Sequence, residues 1–346
     1  MMQFDPEAAV KERYAAAARS LETELCCPVT YDPRYLDVIP EEVLERDYGC
    51  GDPSAHVRPG ETVLDLGSGG GKICFIAAQV VGPGGRVVGV DMNPDMLALA
   101  RRAAPVVAER LGYANVEFRE GRIQDLAPLV EAGSVDVVVS NCVLNLVRPG
   151  DKRRLFEGIY RVLKDGGRAV ISDITCDEEV PAHMRRDPAL WSGCVSGAFL
   201  EDAFLRAFTD AGFHGVRVVA RDAEPWRVVE GIEFRSMTVE AFKGKEGPCW
   251  EGLHAVLYKG PFSEVVDDDG HRIPRGVRYA VCEKAFRLFS REPYRDHFEF
   301  IEPREPVKER VPFDCSRTAP RHPRETKGAD FGLTTDPGAC SEPGCC

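Results

Sequence analysis

Cysteine is the residue type with the greatest chemical potential in this chain, which contains 13 of them among 346 residues. Two occupy glycine-rich segments: Cys50 in the motif YGCG and Cys194 in the motif GCVSGA. Packing alone explains a thiol less naturally when it is flanked by glycines, which bring the backbone close to a neighbour or a ligand. Thiolates are soft ligands and good nucleophiles, so we favour a functional role for both cysteines.

A second group of residues predicts a pocket for a nucleotide-like cofactor. Asp65 ends a short apolar strand and is followed by a loop that contains Gly67, Ser68 and Gly69. Glycines let the backbone approach a ligand closely where a helix begins. By itself this loop could also serve a dinucleotide or simply make a tight turn.

Further polar stations follow this loop in chain order. Asp91 and Met92 end the second strand, where a carboxylate can accept hydrogen bonds from both hydroxyls of an adenosine ribose. Arg122 and Ile123 follow the third strand, and Asn141 follows the fourth. The spacing Asp-x-Gly-x-Gly-x-Gly also differs from the Gly-x-Gly-x-x-Gly of dinucleotide-binding loops.

These stations resemble those of the S-adenosylmethionine-dependent methyltransferases. The resemblance implies that Asp91 holds the ribose, that Arg122 and Ile123 lie at the adenine, and that Asn141 lies near the methionine portion. Tyr48 either closes over this cofactor or anchors its own turn. The methyl donor implied is S-adenosylmethionine.

The elements around these residues alternate regularly. Strands are predicted over 62–66, 86–90, 116–119, 135–140 and 169–172, and helices over 72–81, 94–111 and 151–163. Strands separated by helices of this length indicate βαβ units and a parallel sheet. We therefore expect an α/β fold, with a doubly wound Rossmann-like methyltransferase sheet and a small C-terminal β-rich accessory domain.

Composition divides the chain into four parts. Residues 1–60 read as an N-terminal helical cap, with helices over 10–25 and 40–47, and residues 61–244 as the cofactor-binding domain. Residues 245–303 read as the accessory domain, since short strands there are separated by turn signals. Residues 304–346 are rich in Pro, Arg, Glu and Gly, which predicts a mostly disordered, cysteine-containing tail.

The motifs YGCG, SNCVLNL and GCVSGA, together with the pair Cys26–Cys27 and the final Cys345–Cys346, resemble the arsenite methyltransferases. The resemblance covers roughly residues 10–303. It implies methyl transfer to thiol-bound trivalent arsenic, in arsenic detoxification, with Cys50 and Cys194 as arsenic ligands. It also implies that Cys26 or Cys27 forms a transient disulfide, so that an external thiol or a thioredoxin-type reductant is needed.

One family feature is missing from this chain. Many members carry a further arsenic-ligating cysteine near the position of Ile232, and the stretch 230–243 contains none. Three alternatives follow: an external thiol completes the site, the substrate is already methylated, or Cys249 or a tail cysteine moves in. Two other functions stay open, a methyltransferase for another soft nucleophile such as a thiol or selenium compound, and an inactive arsenical-binding protein.

The other cysteines look structural. Cys74 falls on a core-facing helix, Cys142 lies inside the cofactor signature, and Cys176 and Cys282 have no motif around them, so we favour packing for all of these. The net charge of −12 argues against nucleic-acid and anionic-membrane partners. No membrane span or secretory signal is visible, which predicts a cytoplasmic protein with a small-molecule substrate.

Overall fold

The structure of the protein, a computed structural model, describes residues 5–22, 25, 29–316 and 319–335. The chain divides into two units, Met1–Gly244 and Lys245–Cys346, each with its own hydrophobic core. Among the described residues, none of the helices combines the length and the apolar character that a membrane span requires.

The first unit alternates strands and helices. Its strands are β1 (Thr62–Leu66), β2 (Arg86–Asp91), β3 (Val116–Glu120), β4 (Val135–Asn141), β5 (Leu163–Cys176), β6 (Phe199–Leu200), β7 (His214–Arg221), β8 (Arg227–Val229) and β9 (Ile232–Phe242). Its helices are α1 (Pro6–Ala17), α2 (Glu41–Leu44), α3 (Lys72–Val81), α4 (Pro94–Leu111), α5 (Pro149–Val162), α6 (Pro188–Ser192) and α7 (Glu201–Asp210).

The strands form one nine-stranded sheet in the order β3-β2-β1-β4-β5-β9-β7, with β6 beside β5 and β8 beside β9. Strands β1 to β5 are parallel to one another. This confirms the predicted α/β methyltransferase sheet. Alternate residues of β4 enter different cores, because Val137 and Val139 pack in one cluster and Val138 in the other. Such two-sided burial is expected where helices cover both faces of a sheet.

Strand β9 lies beyond the segment for which parallel strands were predicted, and it is antiparallel to both β5 and β7. The chain passes from β8 to β9 through Glu230 and Gly231, whose φ angles are 52° and 89°. A two-residue turn of this kind joins antiparallel strands, because a parallel connection requires a crossover of a dozen or more residues.

Helix α1 also differs from the predicted helix over 10–25. It begins at Pro6, where the Asp5 carboxylate accepts a hydrogen bond from the backbone N–H of Glu7 at 3.1 Å, and it ends at Ala17. Proline suits the first helical position because its missing N–H would have no partner there. The capping acid therefore moves the start of the helix four residues earlier than its run of helix-forming residues indicates.

The second unit contains β10 (Ala255–Tyr258), β11 (Glu264–Val266), β12 (Arg272–Pro274), β13 (Arg278–Ala280), β14 (Phe298–Ile301), α8 (Glu283–Phe289) and α9 (Pro323–Lys327). Its sheets have the orders β13-β10-β14 and β11-β12, all antiparallel. A small β-rich unit is thus present after residue 244, as predicted.

Much of the segment predicted as a disordered tail is ordered. Residues 304–316 and 319–335 are described and include α9. Arg321 is buried and pairs with Glu251 at 2.7 Å and with Glu325 at 3.2 Å. A buried guanidinium needs such partners, and composition alone does not reveal them. Residues 336–346, with Cys340, Cys345 and Cys346, lie outside the described residues.

Candidate active site

A cavity opens where the strand order of the sheet reverses, between β1 and β4. Ligands of open α/β sheets bind in this crevice, at the carboxyl ends of the strands. Its lining comes from the loops after β1, β2, β3 and β4, from one face of α1 and from the segment 43–49. The predicted cofactor stations therefore meet at one place.

The glycine loop after β1 forms the floor of this cavity. Gly67, Gly69 and Gly71 have φ angles of 71°, 50° and 92°, a region that residues with a Cβ adopt only under strain. A Cβ at Gly67 would meet the side chain of Val143 at 2.5 Å, so that position also requires glycine for space. Ser68 lies in the lining, and its buried hydroxyl has no hydrogen-bond partner among the described residues. A buried hydroxyl of this kind is a natural contact for a bound ligand.

The carboxylates of Asp91 and Asp65 both line the cavity, as do those of Glu7 and Asp47. The Asp91 side chain accepts hydrogen bonds from the backbone N–H groups of Gly69 at 2.9 Å and Asn93 at 2.7 Å. Each bond engages a different oxygen, so each oxygen keeps capacity to accept from a ligand. Burial raises the pKa of Asp91 above its usual value, while the backbone N–H bonds oppose that shift.

Asp65 is buried at the end of β1 and contacts the thiol of Cys74, which donates to its carboxylate at 3.2 Å. Burial raises the pKa of Asp65 to about 7, and the bond from Cys74 partly opposes this shift. Cys74 was predicted to serve packing, and its side chain, on α3, is fully buried in the hydrophobic core. Its thiol in addition supports the carboxyl group at the cavity wall.

The remaining predicted cofactor residues divide into two groups. Tyr48, Met92, Ile123 and Asn141 line the cavity. Arg122 is not among the described residues that line it, because its guanidinium pairs with the Glu7 carboxylate. The Tyr48 hydroxyl donates to the backbone carbonyl of Ala17 at 3.1 Å, so this ring is anchored to the end of α1.

Helix α1 forms one wall of the cavity, which the sequence did not indicate. Glu7, Val10, Lys11 and Tyr14 all belong to the lining. The side chain of Asn93, which caps α4, donates to the backbone carbonyl of Lys11 at 3.2 Å and ties α1 to the loop after β2. No local motif marks such a contact, because it joins residues 82 positions apart.

Sulfur atoms gather at the edge of the same cavity. The ligand atoms of Cys50, Cys142 and Asp173 all lie within 4.8 Å of one another, and all of these residues are buried. Cys142 also belongs to the cavity lining. The Cys194 thiol donates to the backbone carbonyl of Cys142 at 3.2 Å, which places a third cysteine beside Cys142.

Cys142 packs in a buried hydrophobic cluster, and its thiol also lies beside that of Cys50 at the cavity. One sequence signal marks this position: a cysteine directly after the polar end of a central strand faces the ligand crevice. Cys142 and Cys194 both have a φ of 62°, a left-handed conformation that is uncommon for residues other than glycine. Backbone strain of this kind concentrates at functional sites, where the surrounding structure holds it.

Two asparagines of the motif SNCVLNL hold the cysteine-bearing loops. Asn141 Oδ1 accepts from the backbone N–H groups of Cys50 at 2.9 Å and Gly51 at 3.1 Å. The buried Asn145 donates from Nδ2 to the carbonyls of Ile174 at 2.6 Å and Cys194 at 3.3 Å. Each asparagine thus fixes the backbone of one cysteine, and Asn145 was not predicted as a site residue.

Glycines of the cysteine motifs permit these close approaches. A Cβ on Gly49 would collide with the side chain of Asn141, and one on Gly197 would collide with the backbone carbonyl of Asn145. A Cβ on Gly51 would lie 2.7 Å from the Ser172 hydroxyl. The motifs YGCG and GCVSGA therefore combine a thiol with the small neighbours that let its loop reach the asparagines.

Charged groups lie beneath the thiols. Asp173 is fully buried and accepts from the backbone N–H groups of Leu144 at 2.8 Å and Asn145 at 3.2 Å, which holds the turn that follows Cys142. Burial raises the pKa of Asp173 to about 6, against the lowering effect of those bonds and of Lys152. Burial lowers the pKa of Lys152 to about 8, with Asp173 opposing that shift.

Other predicted sulfur positions are placed differently. Ile232, where the family's additional cysteine was expected, packs in the hydrophobic cluster that contains Cys50, Cys142 and Cys194. Cys26 and Cys27 lie outside the described residues. Cys249, considered above as a third ligand, lies in the second unit beside Cys282 and Cys315.

Comparison with known proteins agrees with this fold and cavity. A family model described as a methyltransferase domain matches residues 58–212. A second, described as a domain of unknown function, matches residues 245–331. With the sheet order and the glycine loop, these matches define the chain as a class I, S-adenosylmethionine-dependent methyltransferase.

Relatives identify the family within that class. An arsenite methyltransferase of Aquipseudomonas alcaligenes is 37% identical over 300 residues, which span 81% of this chain and 86% of the relative. The arsenite methyltransferase of Mus musculus is 32% identical, over 89% of this chain and 84% of the relative. The crystal structure of an arsenic(III) S-adenosylmethionine methyltransferase from Chlamydomonas reinhardtii aligns with a TM-score of 0.61 at 31% identity, over 83% of this chain and 100% of that one. The chain belongs to the arsenite methyltransferase family.

Proposed function

We propose that this protein transfers the methyl group of S-adenosylmethionine to trivalent arsenic held by Cys50, Cys142 and Cys194. The observation that carries the proposal is the meeting of these cysteines at the edge of the cavity. The sulfurs of Cys50 and Cys142 lie within 4.8 Å of each other, and the Cys194 thiol contacts the Cys142 carbonyl. Trivalent arsenic is soft and thiophilic, so two adjacent thiols with a third cysteine next to one of them are a suitable ligand set.

The cavity residues fit S-adenosylmethionine. The unpartnered Ser68 hydroxyl and the Asp91 carboxylate offer polar contacts for an amino acid and a ribose, while Ile123 and Met96 offer apolar surface. The open space over Gly69, where a Cβ would meet nothing within 4 Å, leaves room beside the loop. When bound, the cofactor supplies an electrophilic methyl group on a sulfonium sulfur.

The protein's part in the reaction is ligation and orientation. A trivalent arsenical exchanges its oxygen ligands for protein thiolates, with the thiol protons leaving in water. With the methyl donor bound, the arsenic lone pair would form the new arsenic–carbon bond as the carbon–sulfur bond of the sulfonium breaks and its electron pair stays on sulfur. Positioning of two reactants in this way supplies a large part of many enzymatic rate enhancements. The bonds from Asn141 and Asn145 to the cysteine loops preorganise this geometry.

Methylation removes two electrons from the arsenic, so a further turn requires a reductant. Two thiols that become one disulfide supply two electrons. We include Cys26 or Cys27 among the thiols that form this disulfide, and an external thiol or a thioredoxin-type protein as the agent that reduces it.

The test is to incubate the protein with arsenite or methylarsenite, glutathione and S-adenosylmethionine, and to measure methylated arsenic by chromatography coupled to mass spectrometry. We expect product from the wild type and a loss of at least about 100-fold for Cys142→Ser, since a hydroxyl is a poor ligand for a soft ion. Cys176→Ser is the matched control. Cys176 is buried in the same cluster, and burial raises its pKa to about 12, so it remains a protonated thiol.

The outcomes separate the alternatives. Full activity of Cys142→Ser would refute the three-thiol site, and activity on thiol or selenium compounds alone would assign another soft acceptor. Cofactor and arsenical binding without any product would identify a binding protein. If a variant that lacks one of the three cysteines methylates methylarsenite but not arsenite, two thiols suffice for the methylated substrate. One ligand position on that arsenic is already occupied by carbon.

A further inference from the structure

A second group of three cysteines lies in the C-terminal unit, Lys245–Cys346, and the methyl-transfer reaction does not use it. The sulfur atoms of Cys249, Cys282 and Cys315 all lie within 4.8 Å of one another. These residues precede β10, lie between β13 and α8, and follow β14, respectively. Three thiols from distant segments at one point are the usual donor set for a thiophilic metal ion.

Backbone hydrogen bonds fix the three segments next to each other. The N–H of Phe313 donates to the carbonyl of Cys249 at 2.9 Å, and the N–H of Glu283 donates to the carbonyl of Trp250 at 2.9 Å. The thiols therefore converge because backbone hydrogen bonds join the segments that carry them. An isolated antiparallel β-bridge between Trp250 and Pro312 adds to this arrangement.

The sulfur of Cys282 already has a backbone hydrogen-bond donor. Cys282 is buried, and its sulfur accepts a hydrogen bond from the backbone N–H of Ala285 at 3.3 Å. Bonds of this type stabilise a metal-bound sulfur. Cys249 and Cys315 are only partly buried, which leaves a path by which an ion can enter.

A histidine with one nitrogen already engaged lies near these thiols, although its ring nitrogens are not within 4.8 Å of all three sulfurs. His271 lines a small cavity together with Cys282 and Cys315. Its Nδ1 lies 2.8 Å from a carboxylate oxygen of Asp267, and Cys249 acts electrostatically on its ring. The carboxylate leaves Nε2 as the ligand atom and orients the ring, as carboxylate–histidine pairs do around zinc.

We infer that Cys249, Cys282, Cys315 and His271 form a structural zinc site in the C-terminal unit. The set Cys₃His is a known tetrahedral zinc environment. A zinc ion would link the two ends of a small unit whose buried hydrophobic cluster has only seven members. The inference is independent of the arsenic proposal, since it uses none of the same residues.

The first test is the metal content of the full-length protein, purified without chelators and measured by plasma mass spectrometry. We expect about one zinc per chain, and its loss in Cys282→Ser and Cys315→Ser. Cys142→Ser and the double variant Cys345→Ser/Cys346→Ser should keep zinc, which separates this site from the other thiols. Zinc-free wild type that also binds none when zinc is added, or unchanged zinc in Cys282→Ser, would overturn the inference.

Two further measurements test the site if a cysteine variant does not fold, and they identify the bound ion. Cobalt added to the wild-type apoprotein should produce the visible absorption bands of tetrahedral coordination and a sulfur-to-cobalt charge-transfer band. His271→Ala should weaken zinc binding by about 10–100-fold in competition with a chromophoric chelator. Trivalent arsenic needs only three thiolates. If this site binds arsenic but not zinc, and His271→Ala leaves arsenic binding unchanged, the assignment to zinc would be wrong and the ligand of the site would be arsenic. A disulfide between two of these cysteines in the freshly purified protein would contradict any metal site.

Discussion

The side-chain oxygen of Asn141 accepts the backbone N–H of Cys50 at 2.9 Å and so joins the end of a central strand to the loop that carries a candidate arsenic ligand. Its amide nitrogen donates to the carbonyl of Gly51 at 2.7 Å and to the Tyr31 hydroxyl at 3.2 Å. With the bond from the Gly51 N–H to the same oxygen at 3.1 Å, these four bonds engage the whole amide. Asn141 is therefore a positioning residue for Cys50 as well as part of the cavity wall.

Asn141→Ala should impair arsenic methylation more than cofactor binding. Two backbone N–H groups of the cysteine loop would lose their acceptor, at a cost of about 1–3 kcal/mol each if they stay buried. We expect kcat with arsenite to fall at least about tenfold and the Kd for S-adenosylmethionine, measured by calorimetry, to change less. Asn115→Ala is the control, because Asn115 also donates to two backbone carbonyls, those of Ala78 and Gly82. Equal losses of kcat in both variants would contradict a positioning role.

Gly49→Ala should disrupt the same loop from the other side. The added methyl group would collide with the Asn141 amide, so the loop or the asparagine must move. We expect weaker arsenite binding, followed by the change in tryptophan fluorescence or by isothermal titration. Gly84→Ala should leave binding unchanged, since a Cβ there meets nothing within 4 Å. Wild-type affinity in Gly49→Ala would show that the loop tolerates displacement.

Asp91→Ala should reduce the affinity for S-adenosylmethionine. The variant loses the candidate ribose acceptor and frees the N–H groups of Gly69 and Asn93, which shape the loops on both sides. A charged hydrogen bond is worth about 1.5–3 kcal/mol, so we expect Kd to rise by about 10–100-fold in calorimetry. Asp95→Ala, four residues along the chain, removes only a partly exposed acid that pairs with Arg19. If Asp91→Ala binds the cofactor like Asp95→Ala, the assignment of this station fails.

The stability of the cofactor-free protein should depend on the protonation of Asp65. Its folded pKa of about 7 lies above the ordinary value of 3.8, so between these values the folded state holds a proton that the unfolded chain has released. The free energy of unfolding therefore decreases as pH rises from about 4 to 7 and then levels off.

Asp65→Asn should remove this contribution. The free energy of unfolding of the variant, minus that of the wild type, should increase by up to about 3 kcal/mol from pH 5 to pH 8, measured with urea. Asp95→Asn should follow the wild type over the same range. A constant difference between Asp65→Asn and the wild type at both pH values would mean that Asp65 is ionised throughout.

Several features could be predicted from local patterns. Helices α3 and α4 have the predicted bounds, because each begins after a loop residue with a clear capping or turn preference and ends at a glycine. The central strands followed from their continuous apolar runs, since a strand covered on both faces has few polar positions. Asp65 and Asp91 followed from their place at strand ends, where the topology of a parallel sheet directs side chains to the cavity.

Other features depend on contacts between residues far apart in the chain. The direction of β9 depends on a two-residue turn, and the role of α1 as a cavity wall depends on its packing against Asn93 and α6. The pairing of Arg122 with Glu7 joins positions 115 residues apart. A pattern of residue types records which side chains can form such contacts and does not record which partner each one meets.

The sequence by itself therefore determined the class of fold, the glycine loop with its two acids, and the presence of thiols beside glycines. Only the tertiary structure decided which thiols converge: Cys142 joins Cys50, and Cys249 joins Cys282 and Cys315. The physical reason is that periodicity, capping and turn preferences act within a few residues. Ligand sets depend on distances across the fold, which arise only when the sheet and its loops have packed.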